Sequence, residues 1–115
     1  MLLNHGQAGF DPAVAYPVSA SSPHALAAAD LNFDGVPELA VVHGGGDILS
    51  LLVNRGDGTF LKWVPYGVGY GPLSVTFADL NGDRSVDIAA AAFSSVASDA
   101  SMSGIVSVLL NSCQL

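Results

Sequence analysis

The chain has 115 residues, half of them hydrophobic and 11% charged, with a formal net charge of −7. That much apolar material excludes a disordered chain and is enough for one domain with a real core. Three Lys and Arg against ten acids leave no basic face for nucleic acid or an anionic bilayer, and no apolar run approaches the ~18–20 residues of a membrane span.

In chain order, short Val/Ile/Leu/Ala-rich runs punctuated by Gly, Asn, Asp and Pro predict strands over Ala13–Val18, His24–Ala29, Leu39–His43, Ile48–Val53, Leu61–Tyr66, Leu73–Ala78, Val86–Phe93 and Ile105–Leu110. Ala25–Ala29 and Ala89–Ala92 are good helix formers, but they are too short for independent helices, and small side chains suit closely packed inner strands. Asn54-Arg55-Gly56-Asp57-Gly58 predicts a hairpin turn. Gly44-Gly45-Gly46 is no phosphate loop, because no Lys follows and it joins two strands. Cys113 is the one cysteine, so no intramolecular disulfide forms. It reads as a small apolar residue near a strand end, with an intermolecular disulfide or a reactive thiol as the alternative. Met1-Leu2-Leu3 lacks the basic region and long apolar stretch of a signal peptide. The expectation is a segment cut from a longer protein, and the alternative an intracellular chain.

The runs repeat. Pro23–Asn32 aligns with Pro72–Asn81 at an offset of 49, Asn4–Phe10 with Asn54–Phe60 at 50, and Leu49–Asn54 with Val106–Asn111 at 57. The extra residues fall in the Ser/Ala-rich stretch Ser94–Ser103. A period near 50 indicates a solenoid, propeller or array. Each unit reads as four strands, so the expected fold is all-β, a β-propeller fragment of about two four-stranded blades. Residues 1–22 are the end of a preceding blade, 23–71 a complete blade, and 72–115 a second blade lacking its fourth strand. Blades usually number four to eight per ring, so two do not close alone. The chain is either the remainder of a longer propeller or a unit that closes a ring as a homo-oligomer, with Ala13–Val18 pairing with Ile105–Leu110 of the same or a neighbouring copy.

Six of the ten acids sit in two copies of one nine-residue pattern, Asp30–Glu38 and Asp79–Asp87. Oxygen side chains at positions one, three, five and nine are Asp30, Asn32, Asp34 and Glu38 in the first loop, and Asp79, Asn81, Asp83 and Asp87 in the second. A hard divalent cation requires such ligands, and calcium suits them best. Two dications would bring the charge of −7 to −3. The alternative is a solvated Asx-rich turn with no ion.

The strings Ala29-Asp30-Leu31-Asn32-Phe33-Asp34-Gly35, Glu38-Leu39-Ala40-Val41-Val42 and Leu51-Leu52-Val53-Asn54-Arg55-Gly56-Asp57-Gly58-Thr59-Phe60 resemble the FG-GAP/VCBS repeat family, the blade unit of integrin-α-like propellers. The resemblance covers nearly the whole chain. It implies calcium at the turn between first and second strands, with the main-chain carbonyls of Val36 and Ser85 added to each ligand set. It also implies an extracellular or cell-surface setting and adhesion or ligand binding without catalysis. The chemistry is that of an EF-hand loop without its helices, in which a Gly at position six allows the sharp turn. Gly35 fills that place in the first loop, but Arg84 stands there in the second. A left-handed backbone at Arg84 costs about 1–2 kcal/mol, and its charge opposes a cation. The second site is therefore expected to be the weaker.

Other features have plainer readings. Arg55-Gly56-Asp57 is an RGD triplet, but the family's turn already supplies its Gly-Asp. His5, His24 and His43 lack ligand spacing. The paired acids sit at ligand spacing, which explains them better than glycoside hydrolysis. Trp63, Tyr66 and Tyr70 could form a sugar-stacking platform, though Trp63 and Tyr66 are expected to pack blade against blade. The leading expectation is a non-enzymatic calcium-binding module for a protein or carbohydrate ligand. The alternatives are a lectin-like propeller, a non-catalytic propeller segment of a larger secreted hydrolase, and a purely structural ring-closing assembly.

Overall fold

A computed structural model of the chain describes residues 1–4, 6, 9–18, 22–94 and 104–112. His5, Cys113 and the stretch 95–103 lie outside the described residues. Seven strands form among them: β1 (Pro23–Ala29), β2 (Glu38–His43), β3 (Ile48–Leu52), β4 (Val64–Gly67), β5 (Tyr70–Ala78), β6 (Asp87–Ser94) and β7 (Ile105–Leu109). They make two antiparallel sheets, β1-β2-β3-β4 and β5-β6-β7, each ordered as in the chain. The fold is all-β, a pair of adjacent propeller blades not closed into a ring.

The sequence repeat is preserved in register. Val42 faces Leu49 and Leu39 faces Leu52 in the first sheet; Ala91 faces Val106 and Ile88 faces Leu109 at the equivalent places in the second. Even the irregularities repeat, with a register shift at Pro23/Ala25 in β1 and at Pro72/Ser74 in β5. Each follows a proline, which has no N–H for the ladder, so the strand bulges there. The alanine-rich runs are strands, as packing requires and helix propensity does not.

Two apolar clusters flank the first sheet. One joins Ala40, Val42 and Leu49 to Ile88 and Ala90 of the second sheet, with Val75, Phe77 and Leu109 packed around them. The other gathers Val41, Leu52 and Phe60 under Tyr16, Val18 and Trp63, with Tyr16 edge-on to Phe60 at 5.4 Å. Trp63 thus serves packing, with the Lys62 ammonium 5.4 Å above its ring. Covered on both faces, β2 reads as an unbroken apolar run. In β7 half-buried and exposed residues alternate, because among the described residues only one face has a neighbour.

Residues 13–18 were expected to be a strand and are not. Their surroundings reproduce the first blade only in part. Asn4 bridges Phe10 as Asn54 bridges Phe60, and Asp11 N–H donates to Leu3 O as Leu61 N–H donates to Val53 O, at 2.7 and 2.9 Å. Met1 and Val14 exchange hydrogen bonds of 2.8 and 3.0 Å where Leu51 pairs with Val64. β4 is a strand because Ile48–Leu51 lie beside it. Beside residues 14–17 only Met1 does so among the described residues, and Pro12 and Pro17 offer no N–H. Nor does the segment pair with β7, whose one partner in its sheet is β6.

Candidate metal centre

Both acidic loops connect the first strand of a blade to its second. The first runs from Asp30, after β1, to Glu38, which opens β2; the second from Asp79, after β5, to Asp87, which opens β6. Each folds around its leading aspartate. Asp30 accepts the N–H groups of Asp34 (3.2 Å) and Gly35 (2.8 Å). Asp79 accepts those of Gly82 (2.8 Å), Asp83 (3.2 Å) and Arg84 (2.9 Å). The fifth-position aspartates close smaller turns, Asp34 on Val36 N–H at 3.0 Å and Asp83 on Ser85 N–H at 2.9 Å. These contacts fix Val36 and Ser85 by their amides.

The acids converge. Asp30, Asp34 and Glu38 each place a carboxylate oxygen within 4.8 Å of the others, and so do Asp79, Asp83 and Asp87. Strand pairing buries the last member of each set: Glu38 is 1% exposed and Asp87 0%. Desolvation acts to raise the Asp30 pKa, and the N–H groups of Gly35, Asp34, Asn32 and Phe33 outweigh it, so the net shift is downward. At Asp79 the Arg84 N–H lowers the pKa most; desolvation opposes it, and the N–H groups of Gly82, Asp83 and Asn81 add to the lowering. The same amides therefore hold both leading acids in the charged form that a cation needs.

The loops differ in what remains unsatisfied. Asp87 spends both oxygens on the protein, Oδ2 on Leu80 N–H at 2.9 Å and Oδ1 on Asn111 N–H at 2.8 Å. Glu38 spends one, Oε1 on Leu31 N–H at 2.8 Å, and its buried Oε2 has no partner. A buried carboxylate oxygen without a donor costs on the order of 1–3 kcal/mol unless a cation meets it. The third-position amides do not separate the loops, because a turn of the Asn32 amide exchanges its oxygen and nitrogen. In the first loop the Asn32 oxygen faces the Asp30 and Asp34 carboxylates. Turned over, its nitrogen would donate to them at 2.9–3.2 Å. An intervening cation draws the oxygen inward, and an ion-free loop draws the nitrogen. In the second loop the Asn81 nitrogen already donates to Asp83 Oδ2 at 3.2 Å. The oxygen-only donor set and the unpartnered Glu38 oxygen fit a hard dication best in the first loop.

Backbone strain does not separate the loops as expected. Arg84 does adopt a left-handed φ of 72°, where Gly35 has 86°. Position four is left-handed as well, at Phe33 (63°) and Gly82 (78°). Each loop thus has one glycine and one strained residue, in opposite order. Arg84→Gly should stabilise the fold by about 0.5–1 kcal/mol, the left-handed cost less the extra entropy glycine loses on folding. Urea unfolding of the two proteins measures it.

Two residues near the site went unrecognised. Asn54 Nδ2 donates to Pro37 O at 2.9 Å, and the equivalent Asn111 Nδ2 donates to Val86 O at 3.1 Å, in each case the eighth residue of the loop. Asn111 also donates to Leu31 O at 2.6 Å and so ties the first loop to the second blade. The repeat alignment carries the signal, since it places Asn54 on Asn111 before either has a partner. The other candidates stay apart from the loops. His43 is buried with its Nε2 2.9 Å from Ser50 Oγ, and the His24 ring lies against Gly44. In the RGD turn Asp57 Oδ1 accepts Thr59 N–H at 3.0 Å and also the Thr59 hydroxyl.

A cavity of about 300 Å³ opens between the sheets, lined by Leu51, Tyr66, Ile88 and Leu109 with Glu38 and Asn111 on its wall. Among the described residues no helix is long and apolar enough to cross a membrane.

No curated protein and no solved structure gives a significant match to the chain. A family model does, over residues 39–90, a stretch that runs from β2 into β6 and contains the whole second loop. With the register repeated in both sheets, this portion of the chain is similar to an FG-GAP-like repeat.

Proposed function

We propose that the chain is a non-enzymatic, calcium-binding propeller module that presents a surface for a protein or carbohydrate ligand in a secreted or cell-surface protein. The observation that carries the calcium reading is the unpartnered Oε2 of buried Glu38, a residue whose carboxylate converges with those of Asp30 and Asp34. Asp79, Asn81, Asp83 and Asp87 would hold a second, weaker ion, since Asp87 is already saturated by main-chain donors and Arg84 adds a positive charge. Val36 and Ser85 would complete the sets through their carbonyls. Bound calcium supplies charge neutralisation and a rigid link between first and second strands.

The adhesive or ligand-binding role and the extracellular setting rest on the FG-GAP-like repeat. The cavity between the sheets has mainly aliphatic walls, which lends no support to the lectin-like alternative. Calcium titration by isothermal calorimetry tests the metal reading. Two unequal sites are expected, the tighter abolished by Asp30→Ala and the weaker by Asp79→Ala. No heat above dilution at millimolar calcium would overturn it.

A further inference from the structure

We propose, resting on the calcium reading above, that Asn111 is a positioning residue that couples the two metal loops, so that an ion in one tightens the other. Asn111 follows β7 and holds both loops at once. Its side-chain Nδ2 donates to Leu31 O of the first loop at 2.6 Å and to Val86 O of the second at 3.1 Å. Its main-chain N–H donates to Asp87 Oδ1 at 2.8 Å. Leu31 is itself tied to the first ligand set. Its N–H donates to Glu38 Oε1 at 2.8 Å, and its carbonyl belongs to the peptide that leads into Asn32. A run of hydrogen bonds therefore joins Glu38 to Leu31, Leu31 to Asn111 and Asn111 to Asp87, from the last ligand of one loop to the last of the other. Leu31, Glu38, Val86 and Asn111 all line the cavity between the sheets, so the run crosses from one blade to the next. Asn54, in the equivalent place, donates to Pro37 O within its own blade.

The sign of the coupling follows from charge and order. Converging carboxylates in an ion-free loop repel one another, which works against a fixed backbone. A cation in the first loop removes that repulsion and draws Asn32 and Glu38 together, which fixes the Leu31 peptide that they flank. The Asn111 side chain is then anchored, and its N–H holds Asp87 in place before the second ion arrives. That ion has less left to order and binds more tightly. Linkage makes the effect reciprocal, with the same factor in both directions. Repulsion between two dications acts the other way, but it does not depend on the Asn111 side chain.

Calcium titration by isothermal calorimetry tests this on the wild type, Asp30→Ala, Asn111→Ala and the double variant. With the first loop disabled by Asp30→Ala, the calcium Kd of the second loop should rise about threefold to tenfold, the worth of one hydrogen bond. Asn111→Ala keeps the main-chain N–H for Asp87 and loses only the side-chain tie to Leu31 and Val86. In that background Asp30→Ala should no longer raise the second-loop Kd. Asn111→Leu, of similar size and without a donor, takes its place should Asn111→Ala not fold. A residue that serves the fold alone would weaken both sites and leave the step caused by Asp30→Ala intact, which would overturn the proposal. Two calcium sites in the wild type, with a second-loop Kd that Asp30→Ala does not raise, would overturn the coupling and leave the calcium reading standing. No calcium heat in the wild type would overturn both.

Discussion

Glu38→Gln should change sign with calcium. In excess chelator the variant is expected to melt at or above the wild-type temperature. The amide still accepts Leu31 N–H through its oxygen, and it removes a buried negative charge whose Oε2 has no donor. Relief of an unsatisfied buried polar group is worth about 1–3 kcal/mol. In saturating calcium the order should reverse, because the wild type gains about 2.7 kcal/mol per site at a concentration one hundred times Kd. For a chain of this size that is on the order of 10 °C in Tm. A purely structural carboxylate predicts another pattern, an equal loss in both buffers. Thermal melts of both proteins with chelator and with calcium decide between them.

Leu49→Ala and Val106→Ala occupy equivalent positions and should differ several-fold in cost. Leu49 is fully buried between the sheets, and deleting such a side chain costs about 2–5 kcal/mol through lost burial and the cavity left behind. Val106 sits on the uncovered face of β7, where a truncation falls within about 0.5 kcal/mol. Denaturant unfolding at dilutions where the chain is monomeric checks both. Similar losses at the two positions would mean that the sheets do not stack as described.

Periodicity made the blades legible because each strand is bounded by Gly, Asn, Asp or Pro, and because the first and second units align without gaps over the inner strands. Residues 13–18 misled because their composition suits a strand, yet a strand exists only beside a partner, and composition does not say whether one is present. The acids of each loop were legible from alternate spacing alone. The loop backbone was only half so: glycine at position six marks one left-handed residue, and Phe33 gives no hint of the other. The contrast between Glu38 and Asp87 could not be read from the residues, since it depends on Asn111, far along the chain, donating its N–H to one carboxylate and not to the other.

The central claim is that the Asp30–Glu38 loop holds calcium through the oxygen that the protein leaves unpartnered. A crystal structure of the calcium-saturated chain addresses it most directly. The account predicts an ion in that loop, with Glu38 Oε2 and the oxygens of Asp30, Asn32 and Asp34 at about 2.3–2.6 Å. An ion-free loop under those conditions, with the Asn32 nitrogen turned onto the carboxylates, would contradict it.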